Sequence, residues 1–126
     1  MEESFFILKN IFNVGGIING DAEFFEDIVR TPELLIERIV STGQVTPAGE
    51  WYDQAKDEWV ILVSGTAVIR FGTGTLVNLA SGDHLFIPAH CKHRVEETSK
   101  SLPCFWIAIH GNLVSPANRE FSSDNY

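Results

Sequence analysis

The sequence predicts an all-β fold, a small antiparallel β-barrel or jelly roll carrying a short N-terminal helix and arm. Three observations predict it. Short runs rich in branched and aromatic residues recur from Leu34 to His110, at a spacing of roughly 8–12 residues typical of sandwiches and barrels. Turn residues separate them, at Thr42-Gly43, Ser64-Gly65, Gly72-Thr73-Gly74 and Ser81-Gly82-Asp83. A hydrophobic fraction of 44% over 126 residues is enough for one core and argues against disorder.

The elements follow in order. Residues 1–20 read as an irregular arm that ends in breakers at Gly15-Gly16 and Asn19-Gly20. Asp21 can cap a short helix to about Arg30, with Phe24, Phe25, Ile28 and Val29 as its apolar face. Thr31-Pro32 ends it. Leu34 to Ser41 alternates as a strand, Trp59 to Val63 is a buried strand, and Thr66 to Phe71 and Thr75 to Ala80 form a hairpin about Gly72-Thr73-Gly74. His84 to Ile87, Arg94 onward to Glu97, and Leu102 to His110 complete the set. The expected organisation is an arm and helix over 1–33, a barrel over 34–112 and a polar tail over 113–126.

Composition excludes several function classes. A net charge of −8 and no basic stripe make nucleic acid and anionic membranes poor partners. The apolar run Phe5-Phe6-Ile7-Leu8 is broken by Lys9 and Asn10, so it reads as a docking segment rather than a signal peptide or a span. Cys91 and Cys104 form no CxxC pair and read as reduced thiols, which points to a cytoplasmic protein.

Chemistry concentrates in Gly82-Asp83-His84-Leu85-Phe86-Ile87-Pro88-Ala89-His90-Cys91-Lys92-His93-Arg94-Val95, which holds three of the four histidines. Gly82, Pro88 and His93 stand at the spacings of the second motif of the cupin superfamily, with His90 where that motif has Gly and Glu97 where it has Asn. Glu58 and Gly65 keep the six-residue gap of the first motif. The sequence therefore resembles the cupins over roughly Ile36 to His110, and the runs Trp51-Tyr52-Asp53-Gln54 and Glu58-Trp59-Val60 resemble small single-domain bacterial members. The His-x-His of the first motif is absent. With three intervening residues Tyr52 and Gln54 take its positions; with four, Trp51 and Asp53 do.

Alternation along extended chain puts Tyr52 and Gln54 on one face, and the consistent inward set is Tyr52, Gln54, Glu58 and His93. Imidazole and carboxylate suit a divalent transition metal, whereas a Gln carbonyl is a weak ligand and a neutral phenol a poor one. Gln54, Glu58 and His93 are thus the candidate metal ligands, with Tyr52 and His90 as candidate acid–base or substrate-orienting residues. His110 is a further candidate at the end of the last strand. His84 reads as a surface residue, and Cys91 as a minor alternative nucleophile.

Two functions compete. One is a metal-dependent enzyme on a small organic molecule inside the barrel; the other is a non-catalytic binding or sensor module without metal. The resemblance also implies a homodimer.

Overall fold

The structure, a computed structural model, describes residues 6–15 and 21–113. Eight strands run in chain order: β1 Phe24–Arg30, β2 Leu35–Ser41, β3 Asp57–Ser64, β4 Ala67–Phe71, β5 Leu76–Leu79, β6 His84–Ile87, β7 His93–Thr98 and β8 Cys104–Gly111. They form a five-stranded sheet, order β1-β2-β8-β3-β6, and a three-stranded sheet, order β5-β4-β7, with every neighbouring pair antiparallel.

The helix expected from Asp21 to Arg30 is not there. All of it from Phe24 onward is β1, which pairs with β2 from Phe24↔Val40 to Arg30↔Leu35 around a register shift between Asp27 and Val29. The Phe-Phe and Ile-Val pairs suit a pleated surface as well as a helical face, and the open edge of β2 decides between them. Residues 24–30 therefore extend the sheet instead of packing on it. Residues 1–5 and 16–20 of the arm, with the Asn19-Gly20 breaker, and residues 114–126 of the tail lie outside the described residues. No helix among the described residues is long and apolar enough to cross a membrane.

The core lies between the sheets. Val60, Leu62, Ala67, Ile69, Trp106 and Ala108 belong to one buried cluster, with Leu62 and Ala108 fully enclosed. Burying a Leu of this kind contributes roughly 1.5–3 kcal/mol. Gly65 turns β3 towards β4 at φ 104°, where a Cβ would lie 2.8 Å from Cys104 Sγ. Both the left-handed backbone and the close approach of β8 require glycine at that position. Cys104 is buried and Cys91 half-buried, and both are free thiols.

A candidate acid–base site in the barrel

The site is assembled by register. On the inner face of the larger sheet Glu58 lies directly opposite His110 on β8, and on its other side opposite Ile87 on β6. Glu37 on β2 lies opposite Ala108, one inward position from His110. The smaller sheet supplies His93 at the start of β7. The segment before β3 supplies Tyr52, which makes an isolated bridge to His93. Tyr52 N–H donates to His93 O at 2.8 Å, and His93 N–H donates to Tyr52 O at 3.1 Å. Tyr52 and Gln54, two residues apart, share the inward face.

These side chains surround a cavity of about 70 Å³. Its polar wall is Glu23, Glu37, Glu58, His93 and His110, with Tyr52 and Gln54; its floor is Ile39, Val60, Ile69, Ile87 and Trp106. Tyr52 and Phe25 are 37% and 50% exposed and mark the mouth. The space suits a molecule of a few heavy atoms.

Two carboxylate–imidazole pairs face this space. His110 Nε2 donates to Glu37 Oε2 at 2.8 Å. That bond holds the His110 imidazolium above its ordinary pKa against burial, and the negative charge of Glu58 adds to it. The second pair is looser. His93 Nδ1 lies 2.9 Å from the Cys91 carbonyl, which can only accept, so Nδ1 carries the proton and Nε2 faces Glu58. Nε2 and Glu58 Oε1 are 3.5 Å apart. Glu58 is 8% exposed, and its Oε1 is buried with no hydrogen-bond partner. Burial works against the His93 imidazolium, but the Glu58 carboxylate and the Cys91 carbonyl outweigh it and raise the His93 pKa. The ring of Tyr52 stacks on His93 at 5.4 Å between centroids. Burial, reinforced by Glu23, Glu58, Glu37 and Glu50, pushes the Tyr52 phenol up, so it is a neutral proton donor at pH 7.

A polar relay fixes the third carboxylate. Trp106 Nε1 donates to the buried Ser41 hydroxyl at 3.3 Å, and that hydroxyl donates to Glu23. Burial raises the Glu23 pKa, opposed by the Ser41 bond and assisted by the charge of Glu37.

Tyr52, Gln54, Glu58 and His93 therefore meet at one cavity, and His90 does not join them. His90 is left-handed, at φ 63°, and its ring turns outward to Asp53, with Nδ1 at 2.9 Å from Oδ1. Its backbone N–H donates to Gln54 O at 2.7 Å. The position calls for the conformation that glycine adopts most readily, which is a physical reason for Gly in the matching motif. His90 thus ties down the Asp53-Gln54 segment and lies outside the residues that line the cavity, apart from the acid–base or substrate-orienting position expected of it. His84 sits on the outer surface, where it accepts from Trp59 Nε1 at 3.2 Å.

Glu23 and Glu37 escaped the reading of the sequence. Glu37 had a usable signal, since it shares parity with the apolar Leu35 and Ile39. Glu23 had none, because the segment following it reads equally as a helix. Asp57, next to Glu58, is 2% exposed and accepts from Ala89 N–H at 2.9 Å, anchoring the Pro88–Lys92 loop.

A metal finds part of a ligand set here. A 3.5 Å gap between an unpartnered carboxylate oxygen and an imidazole nitrogen matches two ligands of one cation, which lie about 3 to 3.5 Å apart at bond lengths near 2.1 Å. A third ionisable ligand does not follow: among the described residues no three His, Cys, Asp or Glu side chains are grouped to hold a metal ion. His110 is tied to Glu37 instead.

A two-sheet antiparallel barrel of this strand order, with an acid–imidazole cavity between the sheets, is a β-barrel of the jelly-roll class. The chain belongs to the cupin family: the cupin-domain model matches residues 39–110, over half of its length. Among solved structures it is similar to a candidate mannose-6-phosphate isomerase from Ralstonia eutropha JMP134, at 39% identity and a TM-score of 0.78, covering 85% of this chain and 99% of that one. A cupin superfamily protein from Desulfitobacterium hafniense DCB-2 shares the fold at 18% identity and a TM-score of 0.63, over 74% and 80% of the two chains. Hydroxypropylphosphonic acid epoxidase from S. wedmorenis does so at 18% and 0.61, over 71% of this chain and 51% of that one. No curated protein matches the chain by sequence.

Proposed function

We propose that the barrel binds a small polar organic molecule and moves a proton on it, with Glu58 and His93 as the working pair and Tyr52 as the facing acid. The observation that carries this reading is the buried, unpartnered Glu58 Oε1 at 3.5 Å from His93 Nε2. When Nε2 is deprotonated, its lone pair and the carboxylate oxygen repel across that gap. One proton relieves the repulsion, so the pair holds a proton that a bound molecule can exchange. An imidazole whose pKa the Glu58 carboxylate and the Cys91 carbonyl raise above the ordinary histidine value, against burial, is a stronger base than a free one, which suits proton exchange with a bound molecule. The Tyr52 phenol stays protonated and can return a proton to the same ligand.

The relationship to a candidate isomerase supports proton transfer at a hydroxyl-bearing carbon, since isomerisation moves hydrogen without net oxidation. It lends less support to a phosphorylated substrate, because among the described residues no Lys or Arg lines the cavity. The test is proton exchange in D2O, followed by ¹H NMR over a panel of small hydroxy-carbonyl compounds that includes mannose and mannose 6-phosphate. The wild-type chain accelerates exchange or isomerisation of at least one compound, and Glu58→Gln and His93→Gln each lose about a hundredfold or more. Full turnover in both variants would remove the mechanism.

The same orphaned oxygen favours a second reading, a divalent transition metal held by Glu58, His93 and the Gln54 amide oxygen. Such an ion would polarise a ligand oxygen. Element-resolved metal content of the purified chain, repeated on His93→Ala, decides it: stoichiometric metal lost in the variant supports a bound ion, and equal trace content in both removes it.

A further inference from the structure

The charge of the cavity points to the class of molecule it takes. Three carboxylates line it against two imidazoles, so it carries one net negative charge with both rings protonated and three with both neutral. His110 Nε2 is occupied by Glu37 and His93 Nδ1 by the Cys91 carbonyl, and His93 Nε2 faces the Glu58 carboxylate at 3.5 Å, so an anion reaching either ring meets a glutamate beside it. The nearby cations are committed elsewhere. Arg94 donates to the carbonyls of Thr46, Pro47 and Glu50, and Arg38 to those of Ile11 and Asn13.

One acceptor is left over. Glu58 is more than nine-tenths buried and lines the cavity, and its Oε1 accepts no hydrogen bond, with His93 Nε2 standing off at 3.5 Å. A buried carboxylate oxygen without a donor is costly, and a charged donor satisfies it better than a neutral one. An anion would instead place like charges together in a site of low dielectric, where the repulsion is strongest.

We propose that this cavity selects a small molecule bearing a protonated primary amine, whose ammonium group donates to Glu58 Oε1 and is neutralised by the surrounding glutamates. The proposal deepens the proton-transfer reading and rests on the same cavity, but its test is one of binding and not of turnover.

The full chain, treated with chelator, is titrated by ¹H–¹⁵N NMR with three probes on one three-carbon scaffold: 3-amino-1,2-propanediol, glycerol and glycerol 3-phosphate. The amine is expected to bind about tenfold or more tighter than glycerol, shifting amides of β3, β7 and β8, while the phosphate fails to compete with it. In Glu58→Gln the preference for the amine falls to about twofold or less. Equal or tighter binding of glycerol or of the phosphate by the wild-type chain overturns the proposal. So does binding of none of the three in a sample where the His93 ring still titrates above its ordinary value, which leaves the proton-sharing pair intact. An undiminished preference in folded Glu58→Gln overturns the assignment of the acceptor. Should that variant fail to fold, the wild-type ranking of the three probes, with Glu37→Gln as the second variant, still decides.

Discussion

Replacing Glu58 by Gln removes one charge from the centre of the site at almost constant shape, and its effect on His93 can be worked from the structure. Two unit charges 3.5 Å apart interact by about 5 kcal/mol at an effective dielectric constant near 20. The opposing charge of His110 reduces what reaches the titration. The expected result is a fall in the His93 midpoint from above the ordinary histidine value to below it, because burial is the largest influence left on the ring. Burial then dominates, and the ring becomes harder to protonate than a free histidine. The linkage changes sign with it. In the native chain the raised pKa contributes stability that is fully present below the unfolded value and is lost as pH rises through the folded value. In the variant the depressed pKa contributes stability that is fully present above the unfolded value of about 6.5 and is lost as pH falls through the folded value. Following the imidazole Cε1–H resonances of both proteins across pH, with His110 as internal reference, measures the first effect. Urea unfolding at about pH 6 and about pH 8 measures the second. A His93 midpoint unmoved by the substitution would refute the electrostatic account, because Glu58 would then not be what holds the proton there.

Other outcomes follow from particular contacts. Glu37→Gln lowers the His110 midpoint, since the 2.8 Å bond to Glu37 is the largest cause of its elevation, and it removes stability mainly below about pH 6.5; NMR titration with urea unfolding checks both. Leu62→Ala, at a fully enclosed position, costs about 2–5 kcal/mol in chemical denaturation without moving either histidine midpoint. Gly65→Ala costs about 1–3 kcal/mol or more, since the added Cβ meets Cys104 in a backbone conformation unfavourable to alanine. His90→Gly changes stability by less than about 1 kcal/mol, because relief of the left-handed backbone offsets loss of the Asp53 contact, and it leaves probe binding in the cavity unchanged.

Legibility in the sequence followed period and punctuation. The strands from Leu35 to Gly111 declare themselves because alternation and Gly turns agree, and the Glu58–Gly65 and Gly82–Pro88–His93 spacings fall on features that geometry requires. Gly65 needs a positive φ and space against Cys104, and His93 opens a strand beside Tyr52. The segment Asp21 to Arg30 misleads because two adjacent apolar pairs spaced four apart fit a helical face and a pleated edge equally. Only the partner strand resolves it, and the partner is distant in sequence. The same cause hid two of the seven polar residues of the wall: Glu37 lies on β2 and Glu23 immediately before β1, and the β1–β2 pairing that brings them together is announced by no local pattern. His90 reads as a site residue from proximity to His93, yet an odd separation and a left-handed backbone turn it outward.

The Tyr52–Gln54 segment has a consequence for access. It belongs to no strand, and it is held to the loop before β7 by two bonds between Tyr52 and His93 and one from His90 to Gln54. The wall that limits what enters and the imidazole that holds the proton are therefore two sides of one seam. A ligand too wide for the mouth that presses on the Tyr52 side strains that seam, and parting it displaces His93 from Glu58. Size discrimination and proton affinity are in this way mechanically coupled: an oversized guest, in gaining admission, disarms the pair it would need.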